Sequence, residues 1–131
     1  MAQMSDYLEN KLVDHVFRNT AFTTPGVIHL ALFSTDPLDD GSGTELEDGT
    51  SPAYARITIT MDAPANGVSL NTNELLFTAA TGDWVTITHV AVFDEATGGN
   101  MLMHKILTNP VSVLDTNNFR IPIGDLEITF A

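Results

Sequence analysis

Six carboxylates crowd one short stretch of this chain: Asp36, Asp39, Asp40, Glu45, Glu47 and Asp48, with Gly41 and Gly43 among them. Acidic side chains at such spacing are the raw material of a calcium loop. With Asp36 at the first position of an EF-hand register, Asp40 falls at five, Gly41 at six, Thr44 at nine and Glu47 at twelve. The register is partial. Leu38 stands where a third ligand belongs, Pro37 stiffens the entry, and the following residues alternate like a strand instead of forming a helix. The reading is therefore a solvated acidic loop, with no metal and no cofactor assigned.

Four histidines, His15, His29, His89 and His104, are the other candidate ligands. None forms the close pair typical of a zinc set, so the expectation is buried, neutral, hydrogen-bonded imidazole. There are no cysteines, which excludes thiolate catalysis and zinc-thiolate sites. The chain has no nucleophile elbow, no phosphate-cradling glycine loop and no metalloprotease motif. It reads as a non-enzyme, with no catalytic residue to name. Trp84 and Tyr54 are candidate sugar-stacking platforms, but one Trp and two Tyr are few for a carbohydrate module, and packing is the expected role of Trp84.

The charge balance narrows the partners. Seventeen acids against five bases give a formal charge of −12 over 131 residues. Lys11, Arg18, Arg56, Lys105 and Arg120 are scattered, so a nucleic-acid partner is not expected. No apolar run approaches the roughly 20 residues of a membrane span, and no signal peptide is visible. Yet 44% of the residues are hydrophobic. Acidity together with that much apolar content fits a protein that buries surface against neighbours, hence an expected homo-oligomer.

These residues must be positioned by short elements. Ser5 caps a predicted helix over about residues 5–19, with Leu8, Leu12 and Val16 in one stripe and Val13 and Phe17 beside it. Val27 to Phe33 and Ile87 to Phe93 repeat one pattern, β-branched, x, His, aliphatic, Ala, aliphatic, Phe, which is period two. In the first copy both faces are apolar, which calls for cover on both sides: a second sheet, and a helix or a neighbouring subunit. Further strands are predicted over 54–61, 68–70, 74–79, 84–93, 101–107, 110–114, 119–123 and 126–130, separated by Gly, Pro and Asn turns. The expected architecture is mainly β: one domain over 1–131, an antiparallel sandwich of jelly-roll or immunoglobulin-like type over about 27–131, with the single amphipathic helix in front. The apolar end at Phe130 argues against a downstream fibre shaft.

Three segments resemble small virion proteins of tailed phages. They are Met4 to Thr20 continuing into His29 to Pro37, then Thr88 to Asp94 with Ala96 to Leu102, then Ile121 to Thr129. Proteins of this kind are loosely labelled tail fibre or virion structural proteins, and some similar small β-proteins cement or decorate capsids. The resemblance implies a virion component and brings no catalytic residues. The acidic surface and small size favour a capsid decoration protein on the outer capsid surface, clamping neighbouring subunits of the major capsid protein, with a trimer as the expected symmetry. A tail or fibre-base adaptor and a host-glycan-binding module are the alternatives. The expected partner contacts are Tyr7, Leu8, Leu12 and Val16 on the helix and Asp36, Asp39, Asp40, Glu45, Glu47 and Asp48 in the loop. For the helix, packing within the molecule is the competing reading.

Overall fold

The computed structural model describes residues 2–130. The chain opens with β1 (Gln3–Met4) and α1 (Asp6–Phe17). Ser5 sits between them in an extended conformation, and its hydroxyl accepts the Leu8 N–H at 3.2 Å. Asp6 and Glu9 place negative charge in the first turn, where the helix dipole favours it. The helix stops at Arg18, whose N–H bonds the Asp14 carbonyl, and Asn19 follows with φ +53°. Asparagine tolerates that left-handed conformation better than most residues.

The two repeated segments form β2 (Ile28–Phe33) and β6 (Ile87–Phe93), and they lie side by side. His29 faces Phe93, Ala31 faces Ala91, and Phe33 faces His89, so the two patterns meet about a local twofold between the alanines. With β3 (Ile57–Ile59) and β7 (Met101–Val111) they make an antiparallel sheet in the order β1-β7-β6-β2-β3. Two small ladders complete the fold: β4 (Val68–Leu70) with β9 (Glu127–Thr129), and β5 (Leu75–Leu76) with β8 (Arg120–Ile121). The architecture is mainly β and antiparallel, consistent with a sandwich, with one short N-terminal helix.

One face of the main sheet supplies the larger core. Leu30, Leu32, Val90 and Val92 pack with Leu75, Phe77, Phe119 and Leu126 from the small ladders and their loops. At its centre Phe77 meets Trp84 and Phe119 edge-on and stacks with Tyr54 at 6.0 Å. Leu8 joins this core from α1, and Tyr7 and Leu12 pack against it. The opposite face carries Ala31, Phe33, Ala91, Phe93 and Met101. The acidic loop after β2 folds back over it, with Gly41 beside Met101 and Asp39 bonded to His104.

Several strands are shorter than the alternation predicts. The 54–61 segment is a regular strand only over Ile57–Ile59, because Tyr54 and Arg56 are drawn aside to Glu45 and Ala53 stands at φ +72°. The two segments predicted at 101–107 and 110–114 join as β7. Its register with β6 jumps from His89 opposite Ile106 to Ile87 opposite Val111. The bulge between them accommodates Pro110, which has no N–H to give a ladder.

Candidate interaction surfaces

The loop acids take separate partners instead of converging on one point. Asp36 Oδ1 accepts the Leu38 N–H at 2.9 Å, Asp40 Oδ1 accepts the Ser42 N–H at 2.9 Å, and Asp48 Oδ1 accepts the Ala53 N–H at 2.7 Å. The Ser42 hydrogen bonds hold the Asp40 carboxyl below the usual carboxylate range. Gly43 passes so close to Asp36 and Pro37 that a Cβ there would lie 2.4 Å from the Asp36 carbonyl oxygen. Glu47 is exposed. Among the described residues no group of three or more His, Asp or Glu is placed to hold a metal ion.

One histidine bonds the loop to the sheet, and a second stands beside it. Buried His104 bonds Asp39 Oδ1 through Nε2 at 2.9 Å. Its Nδ1 lies 4.0 Å from Asp36 Oδ1, beyond hydrogen-bond reach. His89 bonds Thr88 Oγ1 at 2.8 Å, and its Nε2 stands 3.8 Å from Asp36. His29 departs from the expectation of a satisfied imidazole, for its buried Nδ1 has no partner among the described residues. His15 is on the surface and accepts the Phe22 N–H at 3.3 Å.

A second network is invisible in the spacing of the residues. Arg56 forks onto both carboxylate oxygens of Glu45, at 2.8 and 2.7 Å, and donates to the carbonyls of Glu95 and Gly98. Its guanidinium lies 3.8 Å from the centroid of the Phe93 ring. One side chain thus ties the acidic loop to the turn between β6 and β7, and its own side chain is only 6% exposed. Tyr54 completes the network: its hydroxyl donates to Glu45 Oε1 at 2.8 Å and accepts the Leu32 N–H at 3.1 Å. Burial, reinforced by the Glu45 carboxylate, pushes the Tyr54 phenol far above its usual range. The one clue in the sequence is Arg56 itself, a charge inside an alternating run.

Of the expected contact residues, Tyr7 and Leu12 are half-buried, Leu8 lies in the core, and Val16 is exposed. Asp36, Asp39, Asp40, Glu47 and Asp48 are exposed, and Glu45 is half-buried in its ion pair. The apolar stripe of α1 divides along its length: Leu8 packs inward, while Val13, Val16 and Phe17 face solvent, Phe17 at 80% exposure. Trp84 and Tyr54 are both buried, and Trp84 donates its indole N–H to the Pro52 carbonyl at 2.7 Å. Neither presents an open ring face to a sugar.

The surface concavities are shallow. One of about 360 Å³ lies where α1 meets the acidic loop, lined by Asp6, Tyr7, Asp39, Asp40, Phe93 and Met101 among others. The arrangement consists of internal latches and exposed acidic and apolar patches.

Fold and surface together define a small acidic β-protein with one N-terminal helix. A family model described as Podophage GP4 fiber I protein gp80 matches residues 3–129, so the chain belongs to that family of phage fibre proteins. A search of curated proteins found no match.

Proposed function

We propose that this chain is a passive structural part of a phage fibre assembly, acting through contacts with neighbouring subunits and without turnover. The observation that carries the reading is the fibre-protein family match across residues 3–129. The internal engagement of the titratable groups supports it: Glu45, Tyr54, Arg56, Asp39 and His104 all bond within the molecule, as structural latches do. The contact surface comprises the exposed end of α1 around Val16 and the outward carboxylates Asp36, Asp39, Asp40, Glu47 and Asp48. Repetition of a modest interface gives such an assembly its strength through avidity.

Capsid decoration, which size and charge placed first, becomes the second reading because the family's own description is of a fibre protein. Its support is the charge of −12, which suits the outside of a capsid better than a surface facing DNA. There the partner is the major capsid protein, and the role is to clamp its subunits. A glycan-binding role loses its aromatic platform with Trp84 and Tyr54 buried.

Gold-labelled antibody against the purified protein, applied to intact particles, tests the choice. The fibre reading expects label confined to the tail end. Label spread over the capsid replaces it with the decoration reading.

A further inference from the structure

The turn between Ala65 and Val68 holds the only asparagine in the chain that is followed by glycine, Asn66-Gly67. Ala65 and Val68 exchange both main-chain hydrogen bonds across it, at 2.9 and 3.0 Å. The two central residues stand at φ +53° and +78°, the left-handed pair that a two-residue hairpin loop requires and that Asn-Gly suits best. Glycine is obligatory here, because a Cβ on Gly67 would lie 2.5 Å from the Phe130 carbonyl oxygen. The fold therefore fixes beside Asn66 the one residue type with no side chain to shield its amide nitrogen.

Both residues of the step are exposed. The bonds that close the turn use the N–H groups of Ala65 and Val68, and Gly67 gives only its carbonyl, to Phe130 N–H at 2.9 Å. Other asparagines are held: Asn71, Asn73 and Asn100 commit their side-chain amides to hydrogen bonds within the fold. The two Asp-Gly steps are held as well, for Asp40 and Asp48 accept the N–H groups of Ser42 and Ala53. Only three residue pairs join β4 to β9 beyond the turn. A surface ladder that short opens locally with ease, which frees Asn66 to swing its side chain over the Gly67 nitrogen.

We propose that Asn66-Gly67 is a site of self-modification, at which Asn66 deamidates through a cyclic imide in the folded protein. The Gly67 amide nitrogen attacks Asn66 Cγ, the N–Cγ bond forms and the Cγ–Nδ2 bond breaks. Ammonia leaves with the proton from that nitrogen. Water then opens the five-membered imide at either carbonyl, giving aspartate or isoaspartate at this position. Loss of the amide proton makes the nitrogen nucleophilic, so the rate rises with pH. Either product adds one negative charge to a molecule already at −12. Isoaspartate also runs the main chain through Cβ and Cγ. A turn lengthened in that way cannot keep both Ala65–Val68 bonds, and the disturbance reaches β9 through Gly67 and Val68.

The test is incubation of the purified, folded full chain in water enriched in heavy oxygen, at mildly acid and mildly alkaline pH. Peptide mapping and native isoelectric focusing follow. The wild type is expected to gain the heavy-oxygen label at position 66 before any other asparagine, faster at the alkaline pH. Isoaspartate is expected among the products, and a more acidic band grows in. Asn66→Gly suits the same positive φ and carries no amide, so its band should not shift, with circular dichroism and melting reporting on its fold. The label on the wild type decides without the variant. Labelling of another asparagine first, or no label at position 66 in the folded chain, overturns the proposal. Aspartate without isoaspartate means direct hydrolysis and overturns the imide route, and an acidic band that grows equally in Asn66→Gly places the chemistry elsewhere and overturns the site.

Discussion

Tyr54 shows how a single side chain links the core to the acidic loop. Its ring fills the space between Phe77 and Trp84, and its hydroxyl serves the Leu32 N–H and the Glu45 carboxylate. Tyr54→Phe keeps the ring and leaves that N–H without a partner, so chemical denaturation should show a loss of about 1–3 kcal/mol. The raised phenol has a consequence for pH. An acid whose folded-state pKa lies above its unfolded value favours folding while protonated. Its contribution is complete below the ordinary phenol value of 10.0 and is lost as pH climbs past it. Wild-type stability should therefore fall steeply above pH 10.0, and the fall should flatten in Tyr54→Phe. An equal alkaline slope in both proteins would assign that loss to other groups.

At the scale of elements, α1 depends on the joint that seats it. Ser5 caps the helix with its hydroxyl, bonds the Met101 carbonyl through the same group, and gives its backbone N–H to Leu102 at 2.9 Å. Ser5→Ala removes the cap and leaves the buried Met101 carbonyl short of a donor. A cap is worth about 1 kcal/mol, and the lost buried bond adds to it. Urea unfolding should show a loss of about 1–2 kcal/mol; no change would mean that β1 and Leu8 alone seat the helix. This joint was half legible in the sequence. Ser5 as a cap follows from its place before Asp6 and the stripe, while its bond to Met101 crosses 96 residues and leaves no local trace. The central strands were the most legible elements, because β2 and β6 repeat a two-residue period that burial demands. The two-residue β1 and the bulge before Val111 were not, since both arise from what β7 offers, not from their own pattern. The fork between Arg56 and Glu45 was hidden for the same reason: a pairing across the fold has no spacing rule.

For the whole molecule, the acidic loop has a double role. Its inner side is held to the sheet through Met101, His104 and Arg56, and its outer side exposes Asp36, Asp39, Asp40, Glu47 and Asp48. Sequence alone placed those carboxylates in a solvated loop, assigned them no metal and expected them to meet a partner. The structure has them bonding their own backbone, Arg56 or His104, with the rest directed to solvent. The chain belongs to a family of phage fibre proteins, and the proposed role is structural. The account therefore predicts that the protein stays with the finished particle. Quantitative mass spectrometry of gradient-purified virions, measured against the major capsid protein, should find it in a fixed ratio that survives repeated purification. A ratio that drifts toward zero through successive gradients would contradict the account.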